Sequence, residues 1–227
     1  MTHITKQLEE LKQRISTAAQ AAGRSETEVS ILAVSKRHGP EALRAAQTAG
    51  LNAFGENYLQ EALAKIPQIT PPAEWHFIGR IQSNKTAAIA RNFDWVQTLD
   101  SEKIARRLND QRPETHDPLN VCIQICTDAQ SAHGGVLPED AIKLCKFVAL
   151  QPNLNLRGLM TIPMPASTEA LQREPFRQLK NLYDELRGQG FTLDTLSMGM
   201  SGDLDAAIAE GSTMIRIGTA LFGPRPV

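Results

Sequence analysis

The stretch EVSILAVSKRHGPEALRAAQTAGLNAFG, residues 28–55, decides the fold. Its first residues, 28–34, form a short apolar run rich in β-branched side chains, which predicts a buried strand. GPEALRAAQTAG, 39–50, reads as a helix: Pro40 suits its first turn and Gly50 its C-terminal stop. NAFG, 52–55, is the next strand. A strand, a helix and a strand in so short a stretch is the unit from which parallel sheets are built.

The alternation extends in both directions. Upstream, Ile4, Leu8, Leu11 and Ile15 follow helical spacing, and Gly23 ends that helix. Downstream come a helix over 58–66, a strand over 75–79, and a helix that Ser83 can cap and that reaches Ala90. A strand over 94–99 and a helix from Ser101 to Asn109 follow, then a strand over 119–125 and a helix from Pro138 to Leu150. The strand over 156–162 precedes a helix carrying Leu179, Leu182 and Leu186, which stops near Gly188. The last elements are a strand over 195–199, a helix that Ser201 can cap and that reaches Glu210, and a strand over 213–218. Eight strand–helix units after one extra N-terminal helix fit an α/β fold, a single (β/α)8 TIM barrel domain over 1–227; ~250 residues is typical for that fold. A doubly wound open sheet shares the alternation. Both place their chemistry at the C-terminal ends of the strands.

Composition narrows the function classes. The 227 residues are 41% hydrophobic with 15 glycines, which excludes a disordered chain. Basic and acidic residues number 24 and 25, so no net positive field attracts nucleic acid. No stretch approaches the ~18 apolar residues of a membrane span. The N-terminus MTHITKQLEELKQRI has no apolar leader core. Cys122, Cys126 and Cys145 form neither a full disulfide set nor a C-x-x-C zinc pair, as expected of a cytoplasmic protein.

Three clusters stand at strand ends. Lys36 follows the first strand directly; there an amine is poorly hydrated and suits a Schiff base, or else snorkels to solvent. SMGMSGDLDAAIAEG, 197–211, turns from a strand into a helix, where amides and the Ser201 hydroxyl can hold an anion or simply cap the helix. GSTMIRIGTALFG, 211–223, does the same through Gly218 and Thr219. The two turns follow the seventh and eighth strands, where barrels commonly bind phosphate. Arg216 shares a strand face with Met214 and Gly218, opposite Ile215 and Ile217, so it faces a ligand or meets a buried carboxylate. Asn57 in FGENY, 54–58, can reach a ligand or cap the next helix. His76 reads as a satisfied core histidine, Arg80, Asn84 and Lys85 as solvated rim residues, and Cys122 and Cys126 as packing residues.

AVSK (33–36), FGENY (54–58), HFIG (76–79) with QSNK (82–85), LRGLMTI (156–162) and LSMGMSGDLDAAIAEGSTMIRIGTALFG (196–223) together resemble the pyridoxal phosphate homeostasis protein family, relatives of the barrel domain of alanine racemase and of group-III decarboxylases. The resemblance covers nearly the whole chain. It implies a (β/α)8 barrel binding pyridoxal 5′-phosphate (PLP) as an internal aldimine on Lys36. It implies a phosphate held by Met200 and Ser201 in one turn and Gly218 and Thr219 in the other, Arg216 beside the pyridine nitrogen, and Asn57 near the cofactor. The chain departs from the family at Ser131-Ala132-His133-Gly134 and at His38, where the family often has a lysine, and at Ile81, where a leucine is usual.

A racemase needs an acid–base group on each face of the substrate α-carbon. Lys36 could serve one face. With no second domain expected after Val227, and with Tyr58 and Tyr183 as the only tyrosines, the other face has no evident group. An arginine at the ring nitrogen also weakens the electron sink of most PLP chemistry. The reading is therefore a monomeric PLP carrier or buffer, not an enzyme, with apo PLP-dependent enzymes as its partners. A slow amino-acid racemase, and a sugar-phosphate enzyme without PLP, are the alternatives.

Overall fold

A computed structural model describes residues 3–128 and 134–223. Eight parallel strands close into a barrel in sequence order. They are β1 (Ser30–Val34), β2 (Ala53–Glu56), β3 (Glu74–Phe77), β4 (Trp95–Leu99), β5 (Leu119–Gln124), β6 (Leu154–Met160), β7 (Thr195–Ser197) and β8 (Met214–Ile217). The closing seam pairs Ser30 with Met214 and runs to Ala33 with Ile217. This settles the choice against an open sheet.

The helices around the barrel are α1 (His3–Ala21), α2 (Pro40–Thr48), α3 (Leu59–Lys65), α4 (Thr86–Asn92), α5 (Glu102–Gln111), α6 (Pro138–Ala149), α7 (Glu169–Gly188), α8 (Leu204–Ala209) and α9 (Thr219–Phe222). Helix α1 is the extra one. It buries Ile4, Leu8, Leu11, Ile15 and Ala19, one face at helical spacing. Its Arg14 pairs with Asp205 and donates to the Ser201 carbonyl at 2.8 Å, tying α1 to the first turn of α8.

Alternate strand residues point to opposite sides. Phe54, Phe77, Ile123, Leu159, Leu196, Ile215 and Ile217 join the apolar jacket between strands and helices. Inside the strands lie two small apolar clusters: Leu32, Val34 and Ile78, and Trp95, Cys122 and Met160. His76, Gln97, Ser197 and Arg216 are also buried, but they are polar.

Two helix starts differ from the sequence reading. Ser83 does not cap α4, which begins at Thr86 after Lys85; the Ser83 carbonyl instead accepts from Thr86 Oγ1 at 3.0 Å and Arg107 Nε at 2.9 Å. Ser201 does not cap α8. The N-cap residue is Asp203, whose carboxylate takes the Met200 N–H at 2.5 Å and closes a turn over 200–203 before the helix starts. That turn leaves Ser201 outside the helix.

Candidate functional site

Lys36, Asn57, Met200, Ser201, Arg216, Gly218 and Thr219 line one cavity of about 270 Å³, together with Val34, Ile78, Ile162 and Gly202. Arg216 lies within β8, and every other one of these follows, or ends, β1, β2, β3, β6, β7 or β8. The order of elements alone therefore assembles the cavity.

Lys36 sits just past β1, in a turn closed by the His38 N–H donating to the Ser35 carbonyl at 3.0 Å. Ser35 is still registered on β2, its N–H bonded to the Gly55 carbonyl at 3.0 Å, so the root of the Lys36 side chain is tied to the sheet. His38, where the family often has lysine, stacks on Phe222 with ring centroids 5.0 Å apart and is a packing residue on α9.

Asn57 does not cap α3; its neighbour Tyr58 is the N-cap residue. The side-chain oxygen of Asn57 is buried and accepts no hydrogen bond. A buried acceptor without a donor is costly, about 1–3 kcal/mol, which marks Asn57 as a polar residue held beside the cavity for more than packing. Gly79 permits this placement, since a Cβ on it would stand 2.0 Å from the Asn57 carbonyl oxygen.

Arg216 is 4% exposed and meets neutral groups, not a hydrogen-bonded carboxylate: it donates to Ser197 Oγ and to the Thr161 carbonyl, each at 2.8 Å. Burial pulls its guanidinium down to about 10, against the pull of Asp203, so it is a cation at neutral pH. Behind it the bonds continue through the barrel. Ser197 Oγ bonds Gln97 Oε1 at 2.6 Å, Gln97 Nε2 meets His76 Nδ1 at 2.9 Å, and His76 Nε2 meets Glu74 Oε1 at 2.8 Å. His76 is thus a satisfied core histidine, stacked on Trp95, and burial holds its pKa below the usual imidazole value.

The turn after β7 depends on Gly199, which has φ +94 and lies where a Cβ would come within 2.5 Å of Ala207. Because the Met200 N–H is taken by Asp203, Met200 offers the cavity its side chain rather than that donor. The hydroxyls of Ser201 and Thr219 stand on two different turns around the same space.

Arg80, Asn84 and Lys85 do not line the cavity. Cys122 packs in the lumen, and the Cys126 thiol bonds the Asp128 carbonyl at 3.1 Å. The Ser131-Ala132-His133 stretch lies outside the described residues. Sequence reading did not single out Ser197 and Thr161, which hold Arg216, nor Glu56 and Lys65, which bind the hydroxyl and the carbonyl of Ser35 beside Lys36. Lys65 had a local signal, a glutamate four residues earlier on the same helix; Ser197 and Thr161 had none, since their partner is distant in sequence.

A closed barrel with a lysine past its first strand and two glycine-bearing turns after its last two defines a class, and the alanine racemase N-terminal domain family matches residues 7–226. Among solved structures, PipY of Synechococcus elongatus PCC7942 without PLP is 35% identical, has a TM-score of 0.87, and covers 97% of this chain and 100% of that one. The same protein with PLP bound is 34% identical, with a TM-score of 0.84 and the same coverage. An alanine racemase from Corynebacterium glutamicum shares the fold at 19% identity and a TM-score of 0.71, with 97% of this chain covering 62% of that one. Among curated relatives, the pyridoxal phosphate homeostasis protein of Pseudomonas aeruginosa is 51% identical over 99% of this chain and 97% of its own. That of Escherichia coli K12 is 46% identical over 99% and 98%. The chain belongs to the pyridoxal phosphate homeostasis protein family.

Proposed function

We propose that the chain binds PLP in this cavity and serves PLP homeostasis as a carrier. The observation that carries the reading is one cavity lined by a lysine, a buried arginine, two hydroxyl-bearing turns and an asparagine. These groups fit PLP: an aldehyde, a ring nitrogen, a phosphate and a phenolic hydroxyl. When bound, PLP supplies an aldehyde that condenses with one amine and releases one water.

Lys36 provides that amine. Ser201, Gly218 and Thr219 take the phosphate, and Met200 walls that end. Arg216 sets its cation against the ring nitrogen and keeps a proton off it, which weakens the electron sink. Asn57 accepts from the ring hydroxyl. Among the described residues lining the cavity, Lys36 is the one side chain suited to act as an acid–base group; none opposes it. A racemase needs two such groups, so carriage is favoured over turnover. The barrel acts as one domain and as a monomer, in the cytoplasm, and hands PLP to apo-enzymes. Three free thiols suit that reducing compartment. Among the described residues no helix is long and apolar enough to cross a membrane.

The test is the visible spectrum of purified protein before and after adding PLP, followed by borohydride reduction and peptide mapping. A phosphopyridoxyl group on Lys36 is expected; a label confined to another lysine refutes the assignment. Ser201→Ala should weaken PLP by about ten- to a hundredfold, from ~1.5–3 kcal/mol for a charge-assisted bond, and pyridoxal hardly at all. Racemisation of an L-amino acid at ~1 s⁻¹ or faster, an ordinary enzyme rate, would replace carriage with catalysis.

A further inference from the structure

A second polar cluster lies outside the barrel wall, in the apolar jacket behind Lys36. Lys65, the last residue of α3, is almost fully buried and uses all three of its donors. They go to the Ser35 carbonyl at 2.8 Å, Glu56 Oε1 at 2.7 Å and Glu61 Oε1 at 2.5 Å. Glu56, with no exposed side-chain surface, also accepts from Ser35 Oγ at 2.6 Å. Glu61 accepts the backbone N–H of Arg37. The cluster therefore grips the chain on both sides of Lys36: the carbonyl and hydroxyl of Ser35, and the amide of Arg37.

Two observations separate this from ordinary packing. A buried ion pair contributes little net stability, because desolvating its charges offsets their attraction; an apolar pair would fill the same space. Glu56 moreover leaves its second oxygen buried and without a partner. What apolar residues cannot do is bind backbone groups. The second observation is conformational. Arg37 has φ +65, the one non-glycine residue at positive φ among the described residues. Such a backbone is strained for a residue with a Cβ and persists where its surroundings impose it. It occurs immediately after Lys36 and is held by Glu61.

We propose that Lys65, Glu56 and Glu61 are positioning residues: they hold residues 35–37 in the strained turn that aims the Lys36 amine into the cavity. This rests on Lys36 being the residue that takes PLP. The cluster touches neither cofactor nor reacting atoms and acts through the backbone.

The experiment uses the full chain with two ligands, PLP and pyridoxine 5′-phosphate, which has the ring and phosphate but no aldehyde. Glu61→Ala removes the Arg37 anchor at a partly exposed helical position that favours alanine. It should weaken PLP about tenfold and leave pyridoxine 5′-phosphate within about twofold. Adding Arg37→Gly to Glu61→Ala should recover most of the loss, because glycine adopts that backbone unaided. Equal losses for both ligands, or no recovery with glycine, overturn the proposal. So does an unchanged PLP affinity in Glu61→Ala while Lys36→Ala abolishes the visible band. If Lys36→Ala leaves that band intact, the reading of Lys36 fails instead, and the positioning proposal falls with it.

Discussion

The jacket and the lumen are separated by a single layer of strands, both are buried, and they are built of opposite materials. The jacket is a continuous apolar cluster from Ile4 on α1 to Leu221 on α9. The lumen holds two apolar groups of three residues each, with His76, Gln97, Ser197 and Arg216 among the buried side chains as well. Barrel interiors are usually filled by layers of branched apolar side chains. Here stability is concentrated outside the strands, which frees the inside to carry a fixed cation to the cavity. The division is not absolute: the jacket holds the Glu56–Lys65 pair, and the lumen holds its two apolar clusters.

The sharpest way to break this division is a large truncation in the jacket. Phe176→Ala, on α7 and wholly buried, should cost ~3–5 kcal/mol in urea unfolding and leave the PLP affinity of the folded fraction within about threefold. A tenfold loss of affinity would mean that the two compartments are coupled. Ser197→Ala should do the reverse. It strips Arg216 and Gln97 of a partner, costs ~1–3 kcal/mol in stability, and weakens PLP about tenfold by loosening Arg216. An unchanged Kd would show that the Thr161 carbonyl alone holds the guanidinium.

A smaller effect comes from pH. The unfolded chain protonates His76 near 6.5, whereas burial holds the folded pKa below that. As pH falls through 6.5 the unfolded state gains a proton that the folded state refuses, so stability drops by at most about 1.4 kcal/mol per pH unit from this group. Above 6.5 its contribution is complete. Urea titrations at pH 7.5, 6 and 5 should show the slope, and His76→Gln should flatten it; an equally steep variant assigns the loss elsewhere. Glu74, whose pKa is lowered chiefly by its bond to His76, adds to the loss only below its ordinary 4.5.

The smallest effect is chemical. Burial pushes both Cys122 in the lumen and Cys145 in the jacket up to about 12. At pH 8 about one in ten thousand of either is thiolate, the reactive form. Iodoacetamide should label Cys126 first in the native protein, and mass mapping of Cys122 would reveal any opening of the lumen.

The fold was legible because alternation is a local property. Each strand named from its apolar run overlaps an observed strand, from Ser30–Val34 to Met214–Ile217. The face shared by Met214 and Arg216 followed from the two-residue period. Boundaries were less legible where a side chain competes for the backbone. Asp203 reaching back to the Met200 N–H moved the start of α8 past Ser201, and two candidate caps in one short turn look alike in sequence. The cavity lining was legible because seven residues at strand ends converge on it. Their support was not. Ser197 meets Gln97 across the barrel, and Lys65 meets Ser35 across the wall, pairings that only the closed fold creates.

The row of bonds from Arg216 to Glu74 has a direction. Arginine can only donate, so Ser197 Oγ accepts from it and donates its own O–H to Gln97 Oε1. The Gln97 amide then donates to His76 Nδ1, which in a neutral ring leaves Nε2–H to donate to the ionised Glu74. Every dipole points the same way, from a cation at one end to an anion at the other. The arrangement is electrically a wire with its return terminal on the far side of the barrel. Arg216 makes no hydrogen bond to a carboxylate, and Asp203 acts on it only through space, so its guanidinium keeps a positive charge to offer an electron-rich ring.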